Sequence, residues 1–108
     1  MGISAIMGVA ASGMQAQTTR LSAAASNVAN ALTPAYDRRV TSFSTTESGG
    51  VFASVRPSGE ATPDGGSNVD LASEIMDATS AEVGFKANAA VWETGAEIWD
   101  VLMSIKRD

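Results

Sequence analysis

A mainly α protein is predicted from three features of this 108-residue chain. Each end carries a sustained apolar repeat, the stretch between them is rich in Gly, Ser, Thr and Pro, and only 6% of residues are aromatic. The predicted architecture is long N- and C-terminal helices paired as a coiled coil, with a short irregular or β-hairpin middle section. The segments are residues 1–32, 33–68 and 69–108, one domain together. The 44% of apolar residues are mainly small, so each buries little area and a lone monomer should be marginal.

The N-terminal helix rests on Ile3, Met7, Ala10, Met14, Gln17, Leu21, Ala24, Val28 and Ala31, spaced in alternating steps of four and three. Eight of these nine are apolar, which is a heptad seam. Pro34 disfavours helix at Thr33, so the helix should stop near Ala31 or Leu32. An asparagine there can turn left-handed or bond the last unpaired carbonyls. Thr33-Pro34 then directs the chain into an extended path. Tyr36 has an apolar body and a polar tip, suited to anchoring that exit against a neighbouring helix.

Strand signals follow at Arg38–Ser44 and Val51–Arg56, around the turn residues Ser48-Gly49-Gly50. Residues 57–68, PSGEATPDGGSN, read as a flexible connector. The second helix should begin at Val69-Asp70. Its seam is Leu71, Ile75, Ala78, Glu82, Phe85, Ala89, Trp92, Ala96, Trp99 and Met103, apolar at nine of ten positions. Ile98, Leu102 and Ile105 widen the stripe towards the end. One partner helix cannot cover stripes this wide, and the excess should seek other chains.

Composition excludes most chemistry. There is no Cys and no His, which removes thiolate and imidazole ligands and the commonest general base. The serines and threonines therefore lack an activating histidine, and no phosphate-cradling glycine loop is present. Glu93, Glu97 and Asp100 form an acidic stripe, read as a solvated face and not a metal site. The oxygen-rich run at 64–70 has no downstream bidentate Glu in calcium-loop register. Trp92 and Trp99 are expected in a core or interface. No enzyme activity, metal, cofactor or small-molecule substrate is expected.

Charge is unevenly distributed. The first nineteen residues carry none, and can be buried without stranding an ion. Residues 20–56 hold Arg20, Arg38, Arg39 and Arg56 against Asp37 and Glu47, and the remainder holds ten acids against three bases. A net charge of −5 with no basic stripe argues against nucleic acid. The N-terminal run lacks the basic start of a secretory signal and is too mixed for a membrane span. A membrane-surface helix would want flanking basic residues, and only Arg20 lies in that segment.

The stretch NVANALTPAY (27–36) resembles the signature of bacterial flagellar axial proteins, the rod and hook subunits, through Asn27, Ala29, Asn30, Thr33 and Tyr36. Ala35 stands where the family usually has Gly. SNVDLASEIMDATSAEVGFKANAAVWETG is similar to the family's second block, through Asn68, Val69, Asp70, Glu74, Phe85, Ala87, Asn88 and Thr94. Val83 departs, at a position where arginine is common. The short middle section places the resemblance closest to the proximal-rod subunits.

The resemblance implies a subunit of a helical tube whose terminal helices line an inner wall. Its partners would be other rod and hook proteins, copies of itself and the flagellar export apparatus. Its location would be the basal body, reached without a cleaved signal. On this reading the packing seam is Ile3, Met7, Met14, Leu21, Val28, Leu71, Ile75, Trp92, Trp99 and Met103. The competing reading from the residues alone is a soluble helical-hairpin adaptor that closes as a homodimer.

Overall fold

A computed structural model describes residues 2–107, and side chains up to Ile105. Helix α1 spans Ile3–Ala29, strand β1 Arg39–Thr45, strand β2 Val51–Pro57 and helix α2 Leu71–Arg107. The fold is mainly helical, two long helices with a two-stranded antiparallel hairpin between them. Alanine-rich sequence free of β-branched runs favours α1. Asp70 starts α2 as its N-cap, accepting from the Ala72 amide at 3.1 Å and the Ser73 hydroxyl at 3.1 Å.

Several boundaries differ from expectation by one or two residues. Helix α1 ends at Ala29, short of Ala31, because the Asn30 side-chain amide donates to the Ser26 carbonyl at 2.9 Å and closes the last turn. Tighter turns follow, with the Ala31 amide on the Val28 carbonyl and the Thr33 amide on the Asn30 carbonyl. Strand β1 starts and ends one residue later than the pattern suggested and β2 ends one residue later, with Arg39 opposite Pro57 and Thr45 opposite Val51.

The helices lie antiparallel, with Met7 against Gly95, Gly13 against Asn88, and Gln17 against Gly84. Arg20 bonds Asp77 at 2.8 Å further along. The hairpin lies along a second face of α1. Asn27 holds its base and Ser12 its tip, where the Ser12 hydroxyl accepts from the Val51 amide at 3.1 Å.

The interior is unusual in its residue types. Among the described residues, the buried apolar side chains are Ala10, Ala16, Ala23, Ala24 and Ala81, while the largest fully buried ones are Asn27 and Glu74. Where α1 meets α2, Gly13 faces Asn88 and Gly84 faces Gln17, so the contact there is small and polar. On α1 it includes Met7 and Gln17 from the expected repeat, with Gly13 beside them. Ile3, Met7 and Met14 are half-buried, whereas Leu21, Val28, Leu71, Ile75, Phe85, Trp92, Trp99 and Met103 are exposed.

The cause is close approach. A Cβ on Gly13 would stand 2.5 Å from Asn88 Oδ1, and one on Gly84 would stand 2.7 Å from the Gln17 amide carbon. Glycine on one helix thus admits an amide from the other at two reciprocal positions. The molecule measures 70 × 24 × 14 Å with a radius of gyration of 18.5 Å, against about 13 Å for a compact chain of this length. Leucine at Gly13 and Gly84 together should wedge the helices apart. We expect a loss of about 1–3 kcal/mol, read as a lower midpoint in thermal circular dichroism.

Candidate assembly surface

The signature residues at 27–36 converge on the place where α1 hands over to the hairpin. Asn27 is 1% exposed, and its side-chain amide substitutes for a neighbouring strand. Its Oδ1 accepts from the Arg39 amide at 2.8 Å and its Nδ2 donates to the Arg39 carbonyl at 2.9 Å. The Tyr36 hydroxyl also donates to Asn27 Oδ1, at 3.0 Å, and lies 3.3 Å from the Ser26 hydroxyl. Tyr36 therefore anchors the chain exit on its own α1. Thr33 bonds Asn30 at 3.1 Å, and Ala29 is exposed.

Asn68 forms a second clamp one residue away. Its Oδ1 accepts from the Arg38 amide at 2.7 Å, and its backbone amide donates to the Tyr36 carbonyl at 3.3 Å. Its Nδ2 donates to Asp37 at 2.8 Å. Ser58 and the Gly59 amide also donate to Asp37. These donors, Asn68 first and Ser58 next, hold the Asp37 carboxyl below its ordinary range despite a small opposing desolvation. Val69 is half-buried, its amide on the Ser67 hydroxyl at 3.3 Å. Residues 57–68, expected as a flexible connector, are hydrogen-bonded at both ends.

Glu74 completes the junction. It is 1% exposed, with one carboxylate oxygen 3.0 Å from Arg38 Nε and the other buried without a partner. This ion pair was not singled out from sequence, and neither was Asp37. The signal available was an acid at the fourth helical position of α2.

Phe85 and Asn88 sit mid-helix on α2. Asn88 donates to the Gly84 carbonyl at 2.9 Å beneath Gly13. Phe85 borders a groove that continues past Leu21 to a hollow of about 310 Å³ lined by Leu21, Ala25, Val28 and Ile75. Among the described residues no group of three or more metal-ligating side chains occurs, and no helix is long and apolar enough to cross a membrane.

A helix pair with apolar flanks and a polar, clamped exit offers surfaces suited to packing. Residues 7–36 match the model for flagella basal body rod proteins. The chain is also similar to the flagellar hook protein FlgE of Brucella suis, 44% identical over 41 residues, which is 38% of this chain and 10% of the relative. The hook proteins FlgE of Brucella abortus and Brucella melitensis match to the same extent. The chain thus spans about a tenth of the length of these relatives. These matches support membership in the flagellar axial family of rod and hook proteins.

The junction makes its own predictions. Asn27→Ala strands the Arg39 amide and carbonyl and should cost about 1–3 kcal/mol, measured as a lower urea midpoint. Ala35 is the one non-glycine residue with positive φ, at 62°, among those described. It is exposed, so Ala35→Gly relieves left-handed strain without opening a cavity. It should raise the same midpoint by about 0.5–1 kcal/mol.

Proposed function

We propose that the protein is a structural subunit of the flagellar basal-body rod. It assembles through its terminal helices into a helical tube that transmits torque and encloses the export channel. The observation that carries this reading is the surplus of large apolar side chains on both helices. Alanine is the largest apolar side chain buried within the described chain, while Leu21, Val28, Ile75, Phe85, Trp92, Trp99 and Met103 are exposed. Apolar surface of that extent is unfavourable in water and marks an interaction site.

The partners on this reading are copies of the chain and other rod and hook proteins, after delivery by the flagellar export apparatus. The helices then pack as coiled coils in the assembled wall, along the seam from Ile3 to Met103. Asn27, Asn30, Thr33, Tyr36, Asn68 and Asp70 act by fixing the angle at which hairpin and α2 leave α1. The work is packing and stiffness, with no catalytic step.

Removing the gene from its source organism tests the reading. Basal bodies imaged without the protein should lack a complete rod, and cells should lose swimming. Intact, rotating flagella in that strain would sink it. The competing closed homodimer predicts instead that cross-linking of purified protein saturates at two copies.

A further inference from the structure

The β-hairpin has two outer edges, and they are finished differently. Hydrogen bonds from the Thr46 amide to the Gly50 carbonyl and from the Ser58 amide to the Arg38 carbonyl bracket it. Bonded and non-bonded pairs alternate in an antiparallel ladder, so the even-numbered residues of β1 bond β2. The amides and carbonyls of Arg39, Thr41, Phe43 and Thr45 therefore point away from β2. Asn27, bonded to both backbone groups of Arg39, agrees with that phase.

On β2 the outward groups belong to Val51, Ala53, Val55 and Pro57. Ser12 occupies the Val51 amide, and Pro57 has no amide hydrogen. That edge is closed at both ends. On β1 only Arg39 is taken. The outward groups of Thr41, Phe43 and Thr45 have no hydrogen-bond partner among the described residues. No proline, charge or bulge blunts the run from Val40 to Thr46, and Phe43 is 44% exposed. Such an edge is a template for another strand.

The run is complementary to itself. Set antiparallel on a second copy about Phe43, it places Phe43 opposite Phe43 and Thr41 opposite Thr45, all in bonded phase. Aromatic pairs and Thr–Thr pairs are favourable cross-strand neighbours. The same register puts Arg39 opposite Glu47. Both are exposed, and neither forms an ion pair among the described residues. Within one chain β1 separates them by roughly 20 Å, so they do not meet. The other charges nearby do not substitute. Arg38 is bonded to Glu74, Arg56 projects from the opposite face by strand alternation, and neither Asp37 nor Glu60 pairs with Arg39.

We propose that two copies join through β1, edge to edge about Phe43, as a closed dimer with one four-stranded sheet. Each Phe43 exchanges both backbone bonds with its counterpart, and each Thr41 does so with the facing Thr45. Asn27 ends the pairing at Arg39 on either side. A marginal two-stranded ribbon thereby gains the strands that a stable sheet needs. The contact is isologous and stops at two, and it leaves the helix flanks uncovered. It goes beyond the structural-subunit reading: it is a state of the free chain that shields a pairing-prone edge.

Charge reversal in the full chain tests it. Arg39→Glu alone sets acid against acid, and Glu47→Arg alone sets base against base. In sedimentation equilibrium at low salt the unaltered protein should dimerise, and each variant's dissociation constant should rise about tenfold. Their equimolar mixture should return to the unaltered value, because every facing pair is then opposite in sign. Recovery on mixing also shows that each variant is folded. Thr41→Pro removes an outward amide and no bond to β2. It should abolish the dimer at low and high salt alike, whereas salt should erase the charge effects.

The proposal is overturned if the unaltered protein stays monomeric, if either charge variant dimerises unchanged, or if the mixture fails to recover. It is equally overturned if Thr41→Pro leaves association as it was, since the contact would then lie on the helix seams. A strain that swims normally without the gene would remove the rod reading and leave the β1 dimer standing.

Discussion

The spacing between α1 and α2 governs which surfaces this chain can offer. Glycines 13 and 84 let the helices approach until each receives an amide side chain from the other. At that separation only small side chains fit along the shared line, so alanines fill it. Large side chains are then displaced to the flanks, where Leu21, Val28, Ile75 and Phe85 stand beside open grooves. Alanine contributes little hydrophobic stabilisation compared with a buried Leu or Trp. The close approach thus limits the energy available within one chain and leaves the larger share on its surface.

The junction at Asn27 and Asn68 adds direction to that arrangement. Each asparagine presents a donor and an acceptor in the geometry of a peptide unit, and each occupies backbone groups at one end of β1. Arg38 and Arg39 are thereby held by side chains where a wider sheet would supply another strand. A two-stranded ribbon alone is marginal. Here Ser12 at the tip and the two amides at the base tie it to the helix pair. Glu74 and Arg38 then link the start of α2 to the same knot. A buried ion pair of this kind is weak evidence for stability; its evident effect is to tie α2 to one place beside the hairpin base.

Much of this was readable from the residues. Both helices, the hairpin and its turn follow from apolar period, strand-forming residues and the Gly-Gly pair at 49–50. The end of α1 near residue 30 was legible as well, through Pro34 and the capping capacity of asparagine. The facing line was not. A heptad count selected Leu21, Phe85 and Trp92 together with Ala10, Gln17 and Ala24, and does not say which of them face the partner helix. The chain sets Gly13 against Asn88 and Gln17 against Gly84, positions that hydropathy ranks low. Tyr36 likewise anchors to its own α1, where Asn27 in the last turn accepts from its hydroxyl. The Asp37 and Glu74 contacts join residues 21 to 36 positions apart, and nothing local in the sequence announces them.

The mismatch between apolar period and internal contact is itself informative about assembly. A sequence that satisfied its seam internally would place Leu21 and Trp92 between the helices and expose alanine. Here Leu21 and Trp92 stand exposed while Ala10, Ala24 and Ala81 are buried, and close approach at Gly13 and Gly84 accompanies that order. Surfaces left uncovered in this way cannot be matched by a single two-fold contact, since they occupy the flank of α1, the flank of α2 and the far end of α2. Several neighbours in different directions are needed to remove them from water. On the proposed reading, the small polar seam fixes the shape of each subunit, and the large apolar residues supply cohesion between subunits. A shaft built on that division gains stiffness from its neighbours in proportion to how completely they surround each helix.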